Sequence, residues 1–247
     1  MKHFLTLEIL EVFNNSEVEN IFSVNEIDGQ QLDLGLQDIK LYDLPLMTCL
    51  FVDPKNSFAL INLTYITIMR CDKLKIAFST SILRFLPELV RLKIQECKEL
   101  EHIFEEDDDD LENNKYSNSL SSRTWFPKIE ILAVIKCNKL KSVFPFSVCK
   151  ELPKLNVLLI TEANELEEIF KSEDDHKVHI PNLNIVAFDM LQSLRCAQGN
   201  QFQAVKNRFV RNCQKLTLTS ASTTNTLEEI NNLGTHYIQY LSLILQI

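Results

Sequence analysis

The chain has 247 residues, of which 45% are hydrophobic and 24% are charged, and its formal net charge is −9. This acidic balance argues against a nucleic-acid-binding surface, which normally requires a basic face. The apolar content is sufficient for a buried core, and the length allows one or two domains.

A pattern of sixteen residues recurs along most of the chain. Hydrophobic residues stand at offsets 0, +3, +5, +11, +14 and +15, and a small or polar residue stands at +8. The clearest copies are residues 89–104 (LVRLKIQECKELEHIF) and residues 129–144 (IEILAVIKCNKLKSVF). Further copies start at residues 7, 36, 63, 155 and 183, and a degenerate copy starts at residue 205. Such internal repetition indicates a stacked repeat protein, in which each copy contacts its neighbours.

Within each copy, the apolar offsets +3 and +5 alternate with outward offsets +2, +4 and +6, as in a short β-strand. One such strand cannot bury its apolar face alone, so successive copies must stack in parallel. The residue at +8 is expected to turn the chain off the strand and to satisfy backbone groups of the loop. Residues at +11, +14 and +15 then fill the core from the other side.

The pattern predicts an α/β leucine-rich-repeat solenoid, shaped as a horseshoe. Its concave side is a parallel sheet of about eight short strands, and its convex side is mostly irregular with short helices near residues 79–86 and 145–152. The predicted domain is residues 1–216, with an acidic loop insertion at residues 105–124. Residues 217–247 are predicted to form an irregular C-terminal tail, whose apolar end is either disordered or a strand that caps the last copy.

Four of the seven cysteines share offset +8: Cys71, Cys97, Cys137 and Cys213. This regular placement predicts small buried thiols rather than a disulfide framework or a metal site. The histidines form no H-E-x-x-H pattern, and the four glycines lack the spacing of a phosphate-binding loop. We therefore expect no catalytic residues, no cofactor, no bound metal and no enzymatic activity.

The details of the repeat go beyond a generic pattern. Residues 89–104, 129–148 and 209–216 carry the form L-x-x-L-x-I-x-x-C-x-x-L-x-x-I/V-F in whole or in part. This form closely resembles the C-terminal repeats of plant coiled-coil nucleotide-binding leucine-rich-repeat disease-resistance proteins. The resemblance implies a cytoplasmic protein-interaction module for plant defence. Its implied partner is a pathogen effector, a guarded host protein or a nucleotide-binding domain.

Three readings of this resemblance stay open. The chain has no phosphate-binding loop, so we expect a fragment or truncated relative that lacks the nucleotide-binding domain. The first alternative is a substrate-recognition adaptor of a ubiquitin ligase, and the second is a non-functional gene remnant. No membrane span is expected, because the apolar stretch at residues 237–247 is shorter than the ~20 residues that a spanning helix needs.

The outward offsets predict where a partner binds. Side chains at +2, +4, +6 and +7 should line the concave surface, with a basic and aromatic half beside an apolar half. Since exposed sheet positions are normally polar, the apolar rows suggest that an external protein or another domain covers them. The predicted partner-binding residues are Tyr42, Tyr65, Met69, Arg70, Arg91, Lys93, Ile131, Ile135, Val157, Leu159 and Ile185.

Overall fold

The computed structural model describes residues 7–23, 32–52, 58–83, 85–105, 126–145, 152–171, 180–195, 202, 204–205 and 207–216. In chain order the elements are β1 (Ile9–Phe13), β2 (Asn20–Ser23), β3 (Leu32–Asp33), β4 (Asp38–Tyr42), β5 (Cys49–Val52), β6 (Phe58–Ala59), β7 (Tyr65–Met69), β8 (Ile76–Ser79), α1 (Thr80–Leu83), β9 (Arg91–Gln95), β10 (His102–Glu105), β11 (Ile131–Ile135), β12 (Ser142–Phe144), β13 (Val157–Thr161), β14 (Glu168–Phe170), β15 (Ile185–Asp189) and β16 (Asn207–Arg211).

An eight-stranded parallel sheet forms one side of the solenoid, in the order β1-β4-β7-β9-β11-β13-β15-β16. Each strand covers offsets +2 to +6 of one copy, and equal offsets pair across each junction. Leu92 pairs with Leu132, for example, and Leu132 pairs with Leu158. The degenerate last copy keeps this register, since Arg208 pairs with Val186. The predicted solenoid and its number of concave strands are confirmed.

The convex side is more regular than the sequence suggested. Strands β14, β12, β10 and β8 form a second parallel sheet, and β2 pairs separately with β5. The expectation of a mostly irregular convex side is therefore wrong for the described residues. Of the two predicted helices, the first is confirmed as α1, a single turn. The second lies mostly outside the described residues, as do the acidic insertion after Glu105 and the tail at residues 217–247.

Stacked phenylalanines explain the convex ladder. Each strand of the second sheet carries phenylalanine at +15, preceded by isoleucine, valine or, in β8, alanine at +14. The rings of successive copies lie over one another. The centroids of Phe78 and Phe104 are 5.6 Å apart, those of Phe104 and Phe144 are 5.4 Å apart, and those of Phe144 and Phe170 are 5.7 Å apart. Rings at this spacing attract one another beyond their apolar burial. They hold the adjacent main chains in a register that allows backbone pairing.

The core lies between the two ladders. In the copy that starts at residue 89, Leu92, Ile94 and Leu100 have no exposed surface. The first copy is less well buried, because among the described residues its strand β1 pairs on one side only. There Leu10 and Val12 are only partly buried, although they occupy the same offsets. Burial in this protein is thus a property of neighbouring copies rather than of one copy.

A left-handed residue ends every concave strand. The residue at +7 has φ between 52° and 56° in all eight copies, although none of the eight is glycine. In this conformation the backbone N–H of the +7 residue still donates a hydrogen bond to a carbonyl of the neighbouring strand. Glu96 N donates to Ile135 O at 2.8 Å, and Lys136 N donates to Thr161 O at 2.9 Å. The chain therefore leaves the strand at +7, one residue earlier than the sequence indicated.

The +8 side chain completes the turn, as predicted. The thiols of Cys71, Cys97 and Cys137 donate to the carbonyl two residues earlier, at 3.6, 3.5 and 3.6 Å. In the first copy Asn15 Oδ1 accepts from the backbone N–H of Glu17 at 2.8 Å. These three thiols have no exposed surface, which confirms their predicted burial. Cys213 in the last copy, also predicted to be buried, is only partly buried.

Neighbouring thiols of the ladder also affect one another. The neighbouring thiol of Cys97, together with burial, raises the pKa of Cys71. The neighbouring thiol of Cys137, followed by burial, raises the pKa of Cys97. Burial alone is the largest cause at the solenoid end, where it raises the pKa of Cys213 to about 11. Raised pKa values mean little thiolate at neutral pH and slow reaction with electrophiles.

The cysteine ladder gives a first prediction. Cys97 and Cys137 should react with a thiol reagent only after denaturant is added. Cys97→Ala should cost about 1 kcal/mol of unfolding free energy, whereas Cys97→Arg places an unpaired charge in the core and should unfold the adjacent copies. Mass spectrometry of labelled protein and urea titration measure the two effects. Rapid labelling of both thiols in native protein would contradict this core.

The left-handed turns give a second prediction, at Glu162. A β-branched residue is strongly disfavoured at positive φ, so Glu162→Val should lower the unfolding free energy by about 1–2 kcal/mol. Glu162→Gly removes the same side chain without that strain, so this variant should be more stable than the valine variant by a similar margin. Urea denaturation of both variants measures the difference. Equal stability of the two would show that φ at this residue carries no cost.

Candidate protein-binding surface

Three rows of side chains line the concave face. Because neighbouring strands pair offset to offset, the residues at +2, +4 and +6 each form a row across the sheet. The +4 row contains, in order, Glu11, Lys40, Thr67, Lys93, Ala133, Leu159, Ala187 and Phe209. The row changes from polar to apolar between Lys93 and Ala133. We call strands β1 to β9 of this sheet the basic-aromatic half, and β11 to β16 the apolar half.

A groove of about 510 Å³ lies in the basic-aromatic half. Its walls come from β4, β7 and β9, and they include four of the predicted partner-binding residues. The residues that line it are Asp38, Lys40, Tyr42, Tyr65, Thr67, Arg91 and Lys93. The lining thus has three cationic side chains and one carboxylate, in a chain whose net charge is −9.

The cations of the groove differ in their partners. Lys40 Nζ lies 2.6 Å from a carboxylate oxygen of Glu11 and 3.4 Å from one of Asp38. The guanidinium of Arg91 lies over the ring of Tyr65, 5.4 Å from its centroid. Such a cation–π contact attracts the guanidinium to the ring on the groove wall.

Lys93 is the unusual member of the groove. The residue is only 6% exposed, and its ammonium contacts the thioether sulfur of Met69 at 3.7 Å. A thioether is a weak acceptor, so this contact compensates little of the lost hydration. Burial accordingly lowers the pKa of Lys93. An ammonium in this position has much to gain from a carboxylate brought by a ligand.

Arg70, although predicted to bind a partner, lies at the rim of the sheet rather than in the groove. It follows β7 at offset +7, where Nη2 donates to Asp43 Oδ2 at 2.8 Å. This contact raises the pKa of Arg70 and lowers that of Asp43. Glu96 then lies 3.9 Å from Arg70 and 3.7 Å from Lys136. The rim is therefore a line of alternating charges that neutralise one another.

The apolar half contradicts the expected exposure. Leu159 at the centre of β13 has no exposed surface, and Val157 is 6% exposed. They join Ala133 and Ala187 in a hydrophobic cluster that is separate from the solenoid core. The expectation of exposed apolar rows is wrong for Val157 and Leu159, which are buried although they point to the concave side. The remaining apolar residues of this half are half-buried around them: Ile131, Ile135, Ile185 and Phe209.

The sequence analysis did not select every residue of the surface. Asp38, Lys40 and Thr67 line the groove, and Phe209 joins the apolar cluster. Offsets +2 and +4 would have found all four, since they follow the rule that located the others. What the offsets could not show is which outward side chains neutralise one another across strands.

Two kinds of feature, a membrane-spanning helix and a metal site, are absent from the described part of the chain. Within it no helix is long and apolar enough to cross a membrane. The same residues contain no group of three or more histidine, cysteine, aspartate or glutamate side chains arranged to hold a metal ion.

The parallel ladder and its repeated offsets define a leucine-rich-repeat solenoid, a fold that serves as a scaffold for protein interaction. A family model described as plant disease resistance protein RPS2-like, leucine-rich repeats, matches residues 1–98 and again residues 99–239. The chain belongs to this family. Comparison with curated proteins and with solved structures gave no match.

The buried concave cluster gives a prediction about stability. Leu159→Ala should lower the unfolding free energy by about 2–4 kcal/mol, as for a leucine in a closed core. Ile9→Ala is the matched control, since Ile9 is also a concave apolar residue but is 52% exposed; it should cost well under about 1 kcal/mol. Urea titration measures both. Equal costs would mean that Leu159 is accessible to solvent.

Proposed function

We propose that this chain recognises a protein partner in plant defence, and that the partner places an acidic segment in the groove of the basic-aromatic half. The partner is a pathogen effector or a host protein that the plant guards, met in the cytoplasm. Family membership supports the defence role. The single observation that carries the proposed contact is Lys93, a largely buried residue whose ammonium lies beside a thioether in a groove lined by three cations.

The chemistry of the groove favours an acidic protein segment over an apolar one. A partner carboxylate at Lys93 would replace a weak sulfur contact with a charge-assisted hydrogen bond. Arg91 already contacts the ring of Tyr65, so it has less conformational freedom to lose when it binds a second carboxylate than an arginine in solvent would have. Tyrosine and arginine side chains are also the residues that most often dominate the binding energy of protein interfaces.

The experiment screens the chain against secreted pathogen proteins and against plant proteins in a two-hybrid assay, followed by binding of each purified hit. Arg91→Glu should weaken a true partner at least about tenfold, because it reverses the charge that faces the acidic segment. Lys154→Glu makes the same charge change at an exposed residue outside the concave sheet and should leave affinity unchanged. The affinity for wild type should also fall with added salt.

Two results would refute the proposed contact. The first is a set of hits that bind the Arg91→Glu variant as tightly as wild type while thermal melting shows both folded. The second is a partner whose affinity is insensitive to salt. If a nucleotide-binding domain is among the salt-dependent hits, the groove would bind a domain of a resistance protein rather than an effector or a guarded host protein.

A further inference from the structure

Strand β1 forms one edge of the concave sheet. Among the described residues, β1 pairs with β4 and with no other strand. Its five residues (ILEVF) include neither lysine nor proline, the residues with which proteins commonly block an open edge. The side chains at both ends of the strand are exposed on the concave face, Ile9 at 52% and Phe13 at 61%. An edge of this kind offers both main-chain groups and apolar side chains to another strand.

The main-chain groups of β1 alternate between its two edges. The carbonyl of Glu8 accepts a hydrogen bond from β4, and the N–H of Asn14 donates one to β4, both at 3.1 Å. Even-numbered residues of this stretch therefore bond to β4. The N–H and C=O groups of Ile9, Glu11 and Phe13 point to the open edge. The edge thus presents three donors and three acceptors.

We propose that a second copy of this chain pairs with β1, in an antiparallel ladder whose two-fold axis passes beside Glu11. In such a pair Glu11 lies opposite Glu11 of the second copy, and Ile9 lies opposite Phe13. These are the residues whose main-chain groups point outward, so all of them become hydrogen-bonded pairs, as the alternation of an antiparallel ladder requires. Because the same edge serves both copies, the assembly closes as a dimer.

The side chains of β1 fit the same axis. On the concave face, Ile9 of each copy meets Phe13 of the other, and such an aromatic and β-branched pair is a favourable cross-strand contact. On the core face, Leu10 lies opposite Val12, and both are only partly buried in one copy. The strand is symmetric about its centre, with two apolar residues on each side of Glu11.

The central carboxylates are compensated within each copy. The two Glu11 side chains meet at the axis, and like charges placed opposite each other destabilise an antiparallel pair. Lys40 Nζ lies 2.6 Å from the Glu11 carboxylate, so each copy brings its own cation and the four charges sum to zero. An unrelated strand has to match two apolar ends and a neutralised centre, whereas a second copy matches them by symmetry.

The dimer would join two concave sheets into one. Its axis is perpendicular to the sheet at β1, so the grooves of both basic-aromatic halves open on the same side. From β7 of one copy to β7 of the other is five strand spacings, or about 24 Å at ~4.8 Å per strand. This consequence rests on the proposed function: a partner with two acidic segments would engage both grooves, and its affinity would rise through avidity.

Sedimentation velocity of the full chain measures the association. A small interface between strand edges is expected to bind in the micromolar range, so the wild type should be a folded monomer at about 0.1 µM and a dimer at about 100 µM. Phe13→Lys should weaken the dimer at least about tenfold, because the ammonium would lie against Ile9 of the second copy. Ile61→Lys is the matched control, since Ile61 is 45% exposed and lies outside β1; it should associate like wild type.

Three results of this experiment would overturn the dimer. The first is a wild type that stays monomeric over the whole range, and the second is a Phe13→Lys variant that associates as tightly as wild type. The third is an equal weakening by Phe13→Lys and Ile61→Lys, which would show that added charge rather than the β1 edge controls association.

A disulfide at the axis tests the register. Glu11→Cys should form a disulfide-linked dimer under mild oxidation, because opposite residues of a hydrogen-bonded pair have Cα atoms about 5.5 Å apart, a distance that a disulfide bridges. Lys40→Cys is the matched control, since the two copies of residue 40 would lie three strand spacings, or about 14 Å, apart. The wild type measures the background from native thiols, of which Cys49 and Cys213 are partly exposed.

Peptide mapping should find residue 11 joined to residue 11 at least about fivefold more often than residue 40 joined to residue 40. Equal yields of the two links would refute the antiparallel pairing. Neither measurement involves Arg91 or a bound partner, so a failed dimer would leave the acidic-partner assay unaffected.

Discussion

The structure depends on one constraint, which is that no copy can bury its apolar residues without a neighbour in register. Each concave strand has five residues, and only those at +3 and +5 point to the core. Pairing offset to offset sets these residues in continuous rows, so the gain from burial is shared between copies. The left-handed residue at +7 maintains the register at the strand end, because its N–H reaches the next strand before the chain turns away. That hydrogen bond offsets the cost of positive φ in these non-glycine residues.

Tolerance to insertion follows from the same arrangement. The copies that begin at residues 89 and 129 start forty residues apart, whereas most other neighbouring copies start about twenty-seven residues apart. Their concave strands still pair residue for residue, from Arg91 with Ile131 to Gln95 with Ile135. Both ladders cross this junction, since His102 also pairs with Ser142. A longer connection adds little loop-closure free energy, so the extra residues are accommodated between the convex strand of one copy and the concave strand of the next.

Outward side chains of the concave face have three different environments. At the rim, charges of opposite sign alternate and satisfy one another, as Asp43, Arg70 and Glu96 do. In the apolar half, the side chains pack into a second cluster and lose their solvent exposure. In the groove of the basic-aromatic half, the largely buried Lys93 has its ammonium against a weak acceptor, the thioether of Met69. Because the rim charges are paired and the apolar side chains are packed, we assign recognition to the groove rather than to the whole face.

The order and direction of the concave strands were determined by the sequence, because the offsets +3 and +5 can be buried only by parallel stacking in register. The same offsets located the buried cysteines and the outward rows from Tyr65 to Ile185. The tertiary structure decided what those outward residues do. Arg70 and Lys93 are both basic outward residues, yet one is neutralised at the rim and the other is buried beside Met69. Leu159 is buried where its offset indicated exposure. The phenylalanine stack produced a convex sheet where the spacing suggested irregular chain. Each of these outcomes depends on side chains from neighbouring copies, which are twenty or more residues away in sequence and come together only when the solenoid closes around its core.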